Sequence, residues 1–250
     1  MRCYIVTGAS RGLGLALARD IAAQGHQLIA LARQESPELA TIGAAASGYR
    51  FVAIDLADIA QTSDTAEELM GSLAAVAWQG IYLINNAGLV KPVAPAGRYD
   101  DAALMQCLNV NLSSAIVLAN AFLRHFQHHA GDKCILNISS GAGRNAYQSW
   151  SAYCTAKAGL DMYSRCVGVE QQREAKPVRI AAIAPGIIDT GMQADIRAAE
   201  VADFPQLAQF VDYHRNGDLT PAAQCASEIL GLLHSQHVGV GELLDVRSFR

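Results

Sequence analysis

What this chain lacks narrows its function before any motif is read. It has no basic run: 19 Lys and Arg stand against 23 Asp and Glu, for a formal charge of −4. Nothing in that balance would track a phosphate backbone, so nucleic acid is not an expected partner. No stretch reads as the roughly 20 consecutive apolar residues of a membrane helix, so no membrane partner is expected either. The opening Arg2-Cys3-Tyr4-Ile5-Val6 reads as a strand and not as a signal peptide. A cytoplasmic protein is therefore expected. The six cysteines show no CxxC pair and no His partner at ligand spacing. They are expected as free thiols in or near the core, without a disulfide framework or a metal site.

What is present is a core. Of 250 residues, 51% are hydrophobic, enough for one large α/β domain spanning residues 1–250. Apolar runs of strand length at Cys3–Thr7, Gln27–Ala32, Phe51–Ile54, Ile81–Ile84, Cys134–Ile138, Val178–Ile183 and Glu242–Val246 alternate with stretches of helical periodicity. The helices are expected over Leu13–Ala23, Ser63–Ala77, Asp101–His128, Ser151–Gln172 and Pro221–His234. Such alternation implies right-handed βαβ crossovers and a parallel sheet covered on both faces. Two segments break the rhythm. Gln34–Gly48 is rich in Ser, Ala and Gly and reads as loose. The segment after Pro185-Gly186, taken as residues 187–215, reads as a substrate loop or lid.

Thr7-Gly8-Ala9-Ser10-Arg11-Gly12-Leu13-Gly14 lies where the first strand turns into the first helix. Glycines there allow a sharp turn and close backbone approach to a pyrophosphate, which free N–H groups at a helix N-terminus attract. The second strand ends Leu31-Ala32-Arg33, with no acid to accept from an adenosine ribose hydroxyl. Arg33 and Arg11 instead suit a 2′-phosphate, although either also reads as a solvated surface arginine. Asp55 after the third strand and Asn85-Asn86-Ala87-Gly88 after the fourth stand at carboxyl ends of parallel strands, where open sheets bind ligands. Asp55 also reads as a helix cap, and the asparagines as a polar turn.

Tyr153 and Lys157 are four residues apart, on one helix face. A cation one turn away lowers a phenol's pKa and makes it a usable acid–base group. Ser140, at the end of the fifth strand, is placed to hold a carbonyl oxygen. Its neighbour Ser139 should point the other way in an extended strand.

Taken together, these residues resemble the short-chain dehydrogenase/reductase family. The glycine-rich turn, Asp55, Asn85–Gly88, Asn111, Ser140, Tyr153, Lys157 and Pro185-Gly186 followed by Thr190 come in that family's order and approximate spacing. The resemblance implies a three-layer Rossmann fold, a doubly wound parallel sheet of about seven strands, and a homodimer or homotetramer. It implies NADPH held by Gly8, Ser10, Arg11, Gly12, Leu13, Gly14, Arg33, Asp55, Leu56, Asn86, Ala87, Gly88, Tyr153, Lys157, Pro185, Gly186, Ile188, Thr190 and Met192. It also implies a tetrad in which Tyr153 protonates, Ser140 bonds the carbonyl, Lys157 tunes the phenol and Asn111 positions a water.

A narrower resemblance, carried by Asn137–Ser140, Trp150–Cys154, Ala158–Met162, Pro185–Gln193 and Glu242–Val246, is to sepiapterin reductases and, still more closely, bacterial benzil reductases. It implies a small carbonyl substrate, an aromatic or vicinal diketone, near Ser140, Tyr147, Trp150 and Asp245. A pterin carbonyl compound is the alternative. A non-catalytic dinucleotide sensor on the same fold is the reading from another class.

Overall fold

The alternation of apolar side chains along the first strand sets the layering. In β1 (Arg2–Thr7), Tyr4 and Val6 point to one face and Cys3 and Ile5 to the other, and all four are buried. A strand buried on both faces belongs to the middle of a parallel sheet. The computed structural model, which describes residues 1–46 and 48–250, has that sheet: β3–β2–β1–β4–β5–β6–β7, every pairing parallel. Its other strands are β2 (Gln27–Ala32), β3 (Gly48–Ala53), β4 (Gly80–Asn85), β5 (Asp132–Ile138), β6 (Arg179–Ala184) and β7 (Val240–Asp245).

On one face, α1 (Gly12–Ala23) and α9 (Ala222–Leu233) bury Leu17, Ile21, Ile229 and Leu233 against Tyr4, Val6, Leu28 and Ile84. On the other, α3 (Ile59–Ala74), α5 (Ser114–Phe126) and α6 (Ser151–Gln171) bury Leu69, Phe122, Phe126 and Val167 against Ile5, Ile29, Leu83 and Ile135. The Rossmann architecture is thus present. Each fully buried Leu, Ile or Phe of these two cores contributes about 1.5–3 kcal/mol.

The structure corrects several expectations. Within Gln34–Gly48, Pro37–Ala45 is a helix, α2, started by the Ser36 hydroxyl accepting from the Leu39 N–H and by Pro37 in its first turn. Ser47 lies outside the described residues. The helix from Asp101 is not uniform. It runs as α4 (Asp101–Leu108), a π-helical turn Asn109–Ser113, then α5. By length and composition alone, Asp101–Phe126 is apolar enough to cross a membrane, contrary to the sequence reading. In this fold Leu118, Phe122 and Phe126, successive i, i+4 neighbours, face the sheet. The thiols are all free, but Cys166 is exposed and Cys154 half-buried. Residues 187–215 contain two helices, α7 (Gly191–Arg197) and α8 (Leu207–Arg215).

Strand order reverses direction at β1, because the chain leaves it first toward β2 and β3 and then returns to β4. The crevice beyond the carboxyl ends of β1 and β4 is where open α/β sheets bind ligands.

Candidate active site

A cavity of about 590 Å³ occupies that crevice and extends over the ends of β5 and β6. Its floor is the glycine-rich turn. Gly8 and Gly12 have φ of +66° and +55°, a region costly for other residues. At Gly14 a Cβ would lie 2.1 Å from the Gly8 carbonyl oxygen, so only hydrogen fits there. Asn86 fixes the turn: its Nδ2 donates to the Thr7 carbonyl at 2.9 Å, and the Thr7 hydroxyl accepts from the N–H groups of Asn86 and Ala87, both at 2.9 Å. Asn85, by contrast, is a core residue that donates to Asn137 Oδ1 at 2.9 Å. No side chain caps the N-terminus of α1, so its first N–H groups are open to an anion.

Every residue expected around a dinucleotide lines this one cavity, from Gly8 through Arg33 and Asp55 to Met192. Arg11 and Arg33 are both exposed at its glycine-rich end. Asp55 serves its turn as well, its carboxylate accepting from the Ala57 N–H at 3.0 Å. A floor that a Cβ would fill and an uncapped helix N-terminus fit the pyrophosphate of a nicotinamide dinucleotide.

At the other end stand Tyr153, Lys157 and Ser140. Tyr153 and Lys157 project from α6, both buried. The Lys157 Nζ donates to the Ile138 carbonyl at 2.8 Å and lies 5.8 Å from the Tyr153 ring centre. Ser140 sits in extended backbone at the end of β5, and its Oγ accepts from the Ala142 N–H at 3.1 Å, capping the turn Gly141–Gly143. Burial pushes the Tyr153 phenol up to about 12, with the Ser140 hydroxyl pulling the other way. Burial pushes the Lys157 ammonium down to about 8, offset in part by Cys107 and Asp161. Burial sets the direction at Tyr153, and the groups that act on the phenol are Ser140, Cys107 and Cys154 rather than Lys157. A phenol that stays protonated at neutral pH is equipped to give a proton.

Two expected residues stand apart. Asn111 is buried behind the cavity wall, in the π-helical turn. Its Nδ2 donates to the carbonyls of Leu89 at 2.8 Å and Cys107 at 2.9 Å, and its Oδ1 accepts from the Leu89 N–H at 3.1 Å. Its side chain thus holds the loop after β4. Asp245 does not line the cavity. Its carboxylate accepts Arg247 Nε at 3.0 Å and Nη2 at 2.7 Å, and it is Arg247 that faces the space. Ser139 is among the residues at the cavity, with its hydroxyl fully buried and without a partner among the described residues.

Tyr147 and Trp150 do form an aromatic wall. Trp150 packs edge-on to Tyr153, with ring centres 5.7 Å apart, and stacks on Phe204 at 5.3 Å. Phe210 and Tyr213 of α8 complete it. Sequence reading missed these two residues. Their signal was an aromatic pair at i, i+3 on an amphipathic stretch. Ser149 joins the wall to residues 187–215: it adopts φ of +66°, rare for a residue with a side chain, and its hydroxyl donates to the Asp203 carbonyl. Ion pairs Lys91–Asp195 at 3.2 Å and Arg98–Asp203 at 2.9 Å tie the same segment to the loop after β4.

Comparison with known proteins agrees with this arrangement. Residues 2–201 match the family model described as short chain dehydrogenase. The chain belongs to the short-chain dehydrogenase/reductase family and is an oxidoreductase of the kind that uses a nicotinamide dinucleotide. It is 36% identical to the benzil reductase ((S)-benzoin forming) of Bacillus subtilis over 251 residues, all of both chains. It is 29% identical to the sepiapterin reductase of Xenopus tropicalis, over 96% of this chain and 94% of that one. Among solved structures, the KRED1-Pglu enzyme superposes with a TM-score of 0.83 at 28% identity, covering 97% of this chain and all of that one. A chain from Beutenbergia cavernae with NADP bound at low occupancy gives 0.81 at 26% identity, covering 98% and 94%.

Proposed function

We propose that this protein is an NADPH-dependent carbonyl reductase whose substrate is a small aromatic or vicinal diketone. The observation that carries the reading is the aromatic end of the cavity: Tyr147, Trp150, Phe210 and Tyr213 gathered around a buried, protonated Tyr153. Flat apolar walls bury an aryl group at about 25 cal/mol per Å², and the similarity to benzil reductases points the same way.

When bound, NADPH supplies the hydride that reduces the carbonyl carbon. The chain's own part is to position and to protonate. Ser140 and Tyr153 hold the carbonyl oxygen, and the Tyr153 O–H gives its proton to that oxygen as negative charge develops. Lys157, anchored on the Ile138 carbonyl, keeps a positive charge beside the phenolate that remains. Asn111 holds Leu89, and with it the loop that walls the site. The choice of NADP rests on Arg11 and Arg33 and on the missing acid at the end of β2. Residues 1–250 would act as one domain, with residues 187–215 as its lid. Six free thiols suit a reducing cytoplasm.

The pterin reading is weaker, since the Asp245 carboxylate it would use is occupied by Arg247. The sensor reading leaves the buried Tyr153 and Lys157 without a task. The test is NADPH consumption by the purified protein with benzil and with sepiapterin. Faster turnover of benzil is expected. Faster turnover of sepiapterin would favour the pterin reading, and turnover of neither would favour the sensor.

A further inference from the structure

The C-terminal turn puts a guanidinium into the substrate end of the cavity. β7 ends at Asp245, whose Oδ1 accepts from the Arg247 N–H at 2.9 Å and so starts the turn Val246–Phe249. The same carboxylate takes Arg247 Nε and Nη2 in a two-bond fork. This geometry fixes the plane of the guanidinium. The Arg247 stem packs at Gly186, with its Cδ 3.4 Å from where a Cβ would stand. Arg247 lines the same cavity as Tyr147 and Tyr213. Three separate elements thus converge there: the loop before α6, the lid helix α8 and the C-terminal turn.

The other cations of the cavity have different tasks. Lys91 is paired with Asp195, Lys157 donates to the Ile138 carbonyl, and Arg11 and Arg33 are at the glycine-rich end. The Nη1 of Arg247 has no hydrogen-bond partner among the described residues, so the fork on Asp245 leaves donors to spare. A planar donor among aromatic walls recognises a compound that is apolar on its ring and carries an oxygen acceptor beside it.

We propose that Arg247, clamped by Asp245, is a specificity-determining residue that binds a second oxygen function of the substrate, a carboxylate more strongly than a ketone. The substrate class is then an aryl carbonyl compound with an adjacent oxygen acceptor, aryl 2-oxo acids included. This rests on the carbonyl reductase reading and deepens it. Asp245 acts through Arg247 as a positioning residue.

The test uses the whole protein with NADPH and three probes: phenylglyoxylate, which carries a carboxylate, benzil, which carries a second ketone, and benzaldehyde, which carries neither. In Arg247→Met the ratio of kcat/KM for phenylglyoxylate to that for benzaldehyde is expected to fall more than tenfold. The benzil ratio should fall less, and Arg247→Lys should recover part of the loss. Asp245→Asn, which weakens the clamp but keeps the cation, should shift the phenylglyoxylate ratio in the same direction by a smaller factor. If both ratios stay within about twofold of wild type in Arg247→Met while benzil is still reduced, the inference falls and the reductase reading stands. If the wild-type protein reduces none of the three, the reductase reading falls and this inference with it.

Discussion

The side-chain amide of Asn111 holds the backbone of Leu89 at both ends, accepting from its N–H at 3.1 Å and donating to its carbonyl at 2.8 Å. A helix residue thereby fixes a loop that lines the cavity. Removing it leaves buried backbone groups without partners, each costing about 1–3 kcal/mol. Asn111→Leu should therefore lower both the unfolding free energy and kcat with any carbonyl substrate. Chemical denaturation and steady-state kinetics on the same preparation check it. Full stability with lost kcat would mean that the amide acts on the reaction itself rather than on the loop.

Lys157 carries the pH dependence. Its ammonium is pushed down to about 8 by burial, whereas Tyr153 is pushed up to about 12. Below about 8 the lysine is charged and the phenol protonated, which is the state that reduces a carbonyl. As pH rises through about 8 the charge on Lys157 is lost first. The kcat/KM for reduction should be level on the acid side and decline on the basic side of that value. A profile that stays level up to pH 10 would remove Lys157's charge from the mechanism.

How much of this was legible in the sequence differs between the two ends of the cavity. Glycine-rich turns depend on local backbone needs, so Gly8, Gly12 and Gly14 could be assigned from strand, turn and helix alone, and β2 was bounded correctly at Gln27–Ala32. The helix α2 was not seen, because only Leu39 and Gly43 of it are buried and its apolar pattern is faint, although Ser36-Pro37 marked its start. The π-helical turn at Asn109–Ser113 leaves the helical period nearly intact and so leaves no pattern to read. The substrate end is assembled from residues far apart in the chain. Trp150 meets Phe204 and Phe210 only because residues 187–215 fold back over it. Asp245 and Arg247 are neighbours in any reading, but which of them faces the cavity is set by the turn after β7.

The outer faces of α4 and α6 lead to an assembly prediction. Met105, Met162 and Val169 are 53%, 52% and 59% exposed. Large apolar side chains on helices at that exposure suit a contact between copies of the chain. A homodimer or homotetramer is expected in light scattering at micromolar concentration, and Met162→Glu with Val169→Glu should shift it toward smaller species. A monomeric wild-type protein would contradict this.

Cofactor choice has a direct test at Arg33. If Arg33 pairs with a 2′-phosphate as proposed, Arg33→Asp puts in its place a carboxylate that repels phosphate and accepts from a ribose hydroxyl. NADPH should weaken by more than about tenfold relative to NADH, the consequence of losing a charge-assisted bond of roughly 1.5–3 kcal/mol. Dissociation constants from cofactor fluorescence decide it. Equal weakening of both would leave Arg33 as a loop support.

The proton donor is the centre of the account, and a single substitution isolates it. Tyr153→Phe removes only the phenol oxygen and keeps the ring against Trp150. Turnover of benzil by the variant, measured with NADPH binding on the same sample, is the most direct test. The expected result is NADPH binding kept nearly intact and a kcat reduced by at least about a thousandfold, or some 4 kcal/mol of barrier. A variant that keeps more than about a tenth of wild-type kcat, a loss below roughly 1.4 kcal/mol, would contradict it.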